Sequence, residues 1–237
     1  MTLRLLRTTG VCAILDGGLG SPAALIGMAG RLRAGGLRVF QLRMKDTPDR
    51  EVLITARAIR RRVAGCALLL NDRCDLARAA GADGVHLGQD DLPVRDARRL
   101  LGPGSVVGSS AGTPDEVHAV VGEAPDYISL GPAFATSTKR DAGRSLGSAG
   151  LRRLARLVPA CLPVLAVGGI TPDNVGNVVG AGAQAAASAS CWWRTRDPGR
   201  AARAMLDAFA AAQKQANWVV RMERIRRGTV ASKRRAR

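Results

Sequence analysis

Residues 67–91 open with Ala67-Leu68-Leu69-Leu70 and turn polar at Asn71-Asp72-Arg73. They then pass through a helix-like segment around Cys74–Ala80 and close on Gly84-Val85-His86-Leu87-Gly88-Gln89-Asp90-Asp91. Two short apolar runs, each ending in polar residues and separated by one amphipathic stretch, describe a strand, a helix and a second strand. A helix of this length between two strands implies parallel pairing through a right-handed crossover.

The same unit repeats outward in both directions. Further apolar runs lie at Val11–Leu15, Arg38–Leu42, Ser105–Val107, Tyr127–Leu130, Pro163–Val167 and, more weakly, Ala183–Ser190. The last lacks a β-branched residue and reads as a strand only by its place in the series. Between the runs lie helix-like segments such as Arg50–Arg62 and Thr113–Val121. The second opens with Thr113-Pro114-Asp115-Glu116, a cap followed by Pro in the first turn, and Thr171-Pro172-Asp173-Asn174 repeats that signal. Eight strand–helix units predict an α/β chain folded as a single (β/α)8 TIM barrel, with an open doubly wound sheet as the alternative. Pro198–Ala212 reads as the final helix. The expected organisation is one barrel domain over 1–212 and a basic, disordered tail over 213–237.

Composition supports a packed enzyme-sized core. Hydrophobic residues make up 46 % of the 237 and aromatics only 3 %, so Ala, Leu, Val and Ile must fill it. No apolar run approaches the roughly 18–20 residues that span a bilayer, and Met1–Gly10 carries no secretion signal. The five cysteines are scattered with no CxxC pair, which argues against a zinc site or a disulfide framework and for a reduced, cytoplasmic chain. The net charge of +17 is uneven: Lys214–Arg237 holds nine Lys or Arg against the single acid Glu223. A basic body attracts anionic small molecules or nucleic acid, and charge alone does not choose.

In such a barrel the chemistry sits at the C-terminal strand ends. Polar residues gather at those positions: Gln41 to Lys45, Asn71-Asp72-Arg73, His86 to Asp91, Gly108-Ser109-Ser110, Thr136-Ser137-Thr138-Lys139, Gly168-Gly169 and Ser190. Only four lysines occur in the chain, and the two outside the tail, Lys45 and Lys139, both fall in strand-end loops. Lys is a compact point charge suited to a phosphate oxygen. Asp72 and Asp91, from adjacent strands, can share a hard cation such as Mg2+ with substrate phosphate oxygens, although Asp72 also reads as a cap for the following helix. The hydroxyls of Thr136, Ser137 and Thr138 suit an anion, as do the glycines 168–169, yet an ordinary turn accounts for the glycines equally well. His86 reads as a satisfied structural histidine and His118 as a helix-surface one. No Ser–His–Asp or Cys–His pattern supports a nucleophile.

Taken in order and spacing, Gln41-Leu42-Arg43-Met44-Lys45, Asn71-Asp72-Arg73, Gly84 to Asp91, Gly131-Pro132 with Thr136 to Lys139, and Gly168-Gly169-Ile170-Thr171-Pro172 resemble the thiamine phosphate synthase family over about residues 11–190. The resemblance implies a transferase that joins hydroxymethylpyrimidine diphosphate to hydroxyethylthiazole phosphate and releases pyrophosphate. It puts Gln41, Leu42, Arg43, Met44, Lys45, Asn71, Ser110 and Lys139 on the pyrimidine diphosphate, and Asp72 and Asp91 on Mg2+. Thr136, Ser137, Thr138, Gly169, Ala189 and Ser190 would hold the thiazole phosphate. Arg43, Lys45 and Lys139 would offset charge as pyrophosphate departs. The chain departs from the family's pattern at Ser110-Ala111-Gly112, where Ser-Thr-His is usual, and at Ser188 to Trp193. Two other readings compete: a thiazole tautomerase-like paralogue, and a degenerate barrel that grips nucleic acid through its tail. Otherwise the expected partners are the two small substrates, with neither a membrane nor nucleic acid among them.

Overall fold

The computed structural model describes residues 9–136, 138 and 143–235. Strands and helices alternate from β1 (Val11–Asp16) through the eighth strand, which a 3-10 turn joins to the last helix. They are α1 (Pro22–Ala34), β2 (Val39–Arg43), α2 (Asp49–Arg62), β3 (Ala67–Asn71), α3 (Cys74–Ala80), β4 (Gly84–Leu87) and α4 (Val94–Leu101). There follow β5 (Val106–Ala111), α5 (Pro114–Gly122), β6 (Tyr127–Leu130), α6 (Gly147–Ala155), β7 (Val164–Val167), α7 (Val175–Gly180), β8 (Ala185–Ser188), a short 3-10 helix (Ser190–Trp193) and α8 (Pro198–Arg235). All eight strands pair in parallel in sequence order, and β8 closes on β1 through Val11 opposite Ala186. The closed barrel, not the open sheet, is the fold.

Strand side chains alternate between two apolar cores, because successive residues point to opposite faces. One core fills the barrel interior with Cys12, Ile14, Val39, Ala67, Leu69, Val106, Tyr127, Leu165, Ala185 and Ala187. The other, much larger, lies between strands and helices and takes in Val11, Ala13, Leu15, Phe40, Leu42, Leu68 and Leu70. Along each interior row polarity rises toward the C-terminal end: Cys12, Ile14, Asp16; Val39, Gln41, Arg43; Ala67, Leu69, Asn71; Val106, Gly108, Ser110. The apolar end fills the barrel and the polar end forms its mouth.

Three boundaries differ from the sequence-based expectation, each for a physical reason. Strand β5 continues past Val107 to Ala111, because the ladder to β6 pairs Gly108 with Tyr127 and Ser110 with Ser129 despite weak strand formers. Helix α7 starts at Val175, not beside Thr171, because Asn174 folds the intervening residues into a turn: its Oδ1 accepts from the Thr171 N–H and its Nδ2 donates to the Gly169 carbonyl. The final helix, expected to end at Ala212 before a disordered tail, runs on to Arg235. Residues 210–216 are Ala, Gln and Lys, good helix formers with neither Gly nor Pro to stop them.

Among the residues of α8 whose side chains are described, the buried apolar anchors are Ala202, Met205 and Phe209, and Ala216 is packed more loosely against the same core. The sequence beyond Asn217 shows no sustained apolar periodicity, so truncation there is expected to leave the melting temperature nearly unchanged. A fall of more than about 4 °C, the scale of roughly 1 kcal/mol or more in a domain of this size, would place a stabilising contact beyond that point.

Candidate functional site

The mouth begins at β1 and β2. Asp16 ends β1 almost fully buried, its Oδ1 accepting from the Gly18 N–H (2.8 Å) and its Oδ2 from Arg43 Nη1 (2.7 Å). Both are interior-facing strand ends in direct register. The carboxylate thus fixes the guanidinium in a buried ion pair, while the rest of the Arg43 fork stays available. Next to it Gln41 Nε2 donates to Asn71 Oδ1 (2.9 Å), joining β2 to β3. Leu42, between these residues, turns the other way and lies in the outer core at 1 % exposure, so its side chain does not reach the mouth. Met44 packs against the same outer core while partly exposed.

Past the strand ends, Lys45 Nζ sits 3.3 Å from Asp72 Oδ2. Asp72 adopts a left-handed backbone (φ 63), and its N–H donates to the His86 carbonyl (2.8 Å). Helix α3 has Arg73 at its cap position with no side-chain cap bond, so Asp72 does not serve the cap role that its position allowed. It faces Asp91 instead. Burial pushes the Asp72 carboxyl up to about 6, the Asp91 carboxyl pushes in the same direction, and Lys45 opposes both. Asp91 is held by the Gly88 N–H (2.6 Å). Arg73 is drawn away, clamped between Asp49 and Asp75 on the surface.

Two carboxyls forced together, with one lysine as partial compensation, form a donor set of hard oxygens that lacks positive charge. Among the described residues there is no cluster of three or more His, Cys, Asp or Glu side chains. A two-carboxylate set fits Mg2+, which keeps water and substrate phosphate oxygens in its remaining positions, and does not fit a closed all-protein cage.

Around the barrel, β6 to β8 build a cavity of about 320 Å³ lined by Thr136, Gly169, Thr171, Ser190, Cys191 and Arg194 among others. The glycines 168 and 169 have left-handed φ of 100° and 63°, and a Cβ on Gly169 would lie 2.5 Å from the Ala135 carbonyl oxygen. The loop after β6 therefore lies directly against the loop after β7, a packing only glycine permits. This is the part of a barrel where phosphate sites commonly form. Burial pushes the Cys191 thiol up to about 12, with Ser188 and Arg194 pulling the other way, so it stays neutral and does not repel an anion. Thr136 Oγ1 also accepts from the Thr138 N–H (3.3 Å). Ala189 lies beside the interior core at the head of the 3-10 turn.

Trp192 and Trp193 leave this cavity in different directions. Trp192 is fully buried, its Nε1 donating to the Ser188 carbonyl (2.7 Å), while Trp193 lies against Gly20 in the loop after β1. Ser110, at the end of β5, hydrogen-bonds His86 Nε2 (2.7 Å), so His86 is a satisfied buried histidine, as its surroundings predict, and His118 is exposed on α5. Ser137 and Lys139 lie outside the described residues.

Three residues of the mouth escaped the reading of the sequence. Asp16 obeys the same strand-end rule as Asn71 and was legible on it. Asn174 hid inside an apparent helix start. Arg194 carried no signal at all, because arginine is spread over the whole chain.

A closed (β/α)8 barrel with polar residues gathered at the C-terminal ends of its strands is the architecture of a barrel enzyme whose site lies at that mouth. The family model for thiamine monophosphate synthase matches residues 11–191, and the chain belongs to that family. A thiamine-phosphate synthase of Methanoculleus marisnigri is 46 % identical over 182 residues, covering 76 % of this chain and 85 % of that protein. One from Anaeromyxobacter dehalogenans is 47 % identical over 180 residues, covering 76 % and 80 %. Among solved structures, thiamine phosphate pyrophosphorylase from Pyrococcus furiosus superposes with a TM-score of 0.77 at 28 % identity, covering 87 % of this chain and 98 % of that one. By this membership the chain is a transferase of thiamine biosynthesis. No described helix is long and apolar enough to cross a membrane.

Proposed function

We propose that the chain condenses hydroxymethylpyrimidine diphosphate with hydroxyethylthiazole phosphate, giving thiamine phosphate and pyrophosphate. The observation that carries this reading is the division of one mouth into two unlike anion sites. The β2–β4 side holds Arg43, Lys45 and the Asp72–Asp91 pair. The β6–β8 side holds the hydroxyl-lined cavity with Arg194. A diphosphate that leaves needs cations and a metal, whereas a phosphate that stays attached needs only donors.

In this reading the bond between the pyrimidine methylene carbon and the diphosphate oxygen breaks, and its electron pair leaves on pyrophosphate. The thiazole nitrogen lone pair then forms the new C–N bond to that methylene. Asp72 and Asp91 would hold Mg2+, which when bound supplies positive charge to the diphosphate oxygens. Arg43 and Lys45 lie on the same side and balance the charge that grows on the departing group, a role assigned to Lys139 as well. Gln41 and Asn71, tied to each other, and Ser110 present polar groups to the pyrimidine half. Thr136, Ser137, Thr138, Gly169, Ala189 and Ser190 receive the thiazole phosphate. Such a reaction needs positioning and preorganised charge more than a strong base. The free cysteines, three of them buried, suit a reducing cytoplasm. The direct test is incubation of purified protein with both substrates and Mg2+. Formation of thiamine phosphate is expected, and its absence with folded protein would overturn the assignment.

Arg194 gives a narrower test of the second subsite. Arg194→Ala is expected to raise the KM for thiazole phosphate roughly tenfold, the low end for a hydrogen bond to a charged group at an exposed site. The kcat should stay within about twofold, because this phosphate carries the same charge before and after reaction. An unchanged KM would remove Arg194 from the subsite.

A further inference from the structure

Beneath the mouth, Ser110 is tied to two interior residues, His86 and Tyr127, that the reaction as described does not use. His86 on β4 stacks on Tyr127 of β6, ring centroids 5.6 Å apart, with Nδ1 2.9 Å from the tyrosine oxygen. Its other nitrogen, Nε2, lies 2.7 Å from Ser110 Oγ on β5. The tyrosine ring occupies the space beside Gly108, its register partner, where a Cβ would lie 2.0 Å from the ring carbon Cζ. Only glycine at 108 lets the ring lie across β5 and reach the histidine. Three strands are thus spent on one line of hydrogen bonds leading from the sealed interior to the half-exposed Ser110.

The direction of that line follows from what surrounds each end. Tyr127 is 2 % exposed, and its neighbours in the interior core are the side chains of Ile14, Val39, Leu69, Val106 and Leu165, together with the Cys12 thiol. Burial pushes both the Tyr127 hydroxyl and the Cys12 thiol up, so each keeps its proton. A buried hydroxyl hydrogen needs an acceptor, and the imidazole Nδ1 at 2.9 Å is a far better one than a thiol. With Tyr127 donating to Nδ1, a neutral imidazole carries its hydrogen on Nε2. That hydrogen goes to Ser110 Oγ, and the serine's own hydrogen is left to point into the mouth.

We propose that Tyr127 and His86 are positioning residues that fix the Nε2–H tautomer and thereby present Ser110 as a hydrogen-bond donor to an acceptor atom of the pyrimidine diphosphate. The proposal rests on the reading that Ser110 faces that substrate. Without Tyr127 either tautomer is available, and in the Nδ1–H form Ser110 must donate inward to Nε2 and can offer the substrate only a lone pair.

The chain has two histidines, and exposed His118 is the reference in histidine-selective heteronuclear NMR of the substrate-free protein. His86 is expected as the neutral Nε2–H tautomer in the unaltered protein, and an Nδ1–H ring there would overturn the proposal outright. In Tyr127→Phe that preference should be lost. The KM for pyrimidine diphosphate should rise roughly three- to tenfold, the scale of one hydrogen bond, with the KM for thiazole phosphate unchanged. A changed tautomer with an unchanged pyrimidine KM would also overturn it, since the tautomer would then be without consequence. Ser110→Ala separates the underlying reading. If it leaves the pyrimidine KM unaltered while His86 keeps the Nε2–H form, Ser110 does not touch the substrate and the outward half of the proposal fails with that reading.

Discussion

Asp72→Ala and Asp91→Ala are each expected to lower kcat by on the order of 10²–10³, the scale of one lost preorganised electrostatic group, and thorough chelation of divalent cations should do the same to the unaltered protein. The physical reason is the arrangement of the two carboxyls, which is unfavourable by itself. Burial and Asp91 hold the Asp72 carboxyl up to about 6 against an ordinary 3.8, in spite of Lys45 at 3.3 Å. A carboxyl whose pKa is raised by folding is most at ease protonated. The metal-free protein should therefore lose stability as pH rises from about 4 to about 6, relative to an Asp72→Asn variant that cannot titrate there. Above pH 6 a divalent cation should restore that stability, and cation binding should weaken as pH falls through 6, because the cation must displace the proton. Melting curves against pH with and without Mg2+, on both proteins, read this independently of turnover. Full activity in chelated buffer, or no effect of Mg2+ on the melting temperature above pH 6, would remove the metal from these two residues.

That this pair was readable without coordinates follows from barrel geometry. Asp72 and Asp91 come one step past adjacent apolar runs, and parallel strands in sequential order place such positions side by side. The same logic put Arg43, Lys45 and Asn71 at or just past strand ends, which is where they lie. It also identified the eighth strand by its place in the series, and it stopped β5 short where local chemistry outvoted pattern. Ala185 to Ser188 has the composition of a helix, and it is a strand because small side chains fill the crowded interior at Ala185 and Ala187 while Ala186 packs outward. Residues 108–111 look like a loop by propensity, yet Tyr127 needs the bare backbone of Gly108 opposite it. The 3-10 turn at Ser190 was invisible for a different reason. Its form depends on Trp192 plunging into the outer core, a tertiary contact that no local window contains.

Arg43→Ala should cost about 2–4 kcal/mol in kcat, as expected for removing one charge-stabilising group whose contact strengthens as pyrophosphate leaves. The guanidinium is anchored before substrate arrives. Asp16 is 3 % exposed by its side chain and Arg43 19 %, at 2.7 Å, and the second Asp16 oxygen is already held by the Gly18 N–H. The fork pays little to reorganise because the carboxylate has chosen its rotamer. Arg43→Lys should recover little, since a lysine has one point of charge and cannot bind carboxylate and phosphate from the same planar group. Asp16→Asn should retain the fold but lose part of the rate, because the amide holds the guanidinium less firmly and without charge. Thr136→Ala makes the contrast. Thr136 lines the cavity assigned to a phosphate that keeps its charge, so the loss should appear in the KM for thiazole phosphate and leave kcat nearly untouched. Steady-state kinetics with each substrate varied in turn distinguish these patterns. If Arg43→Ala raises only a KM and keeps the full kcat, the anchored arginine binds the ground state and plays no part in the departure of pyrophosphate.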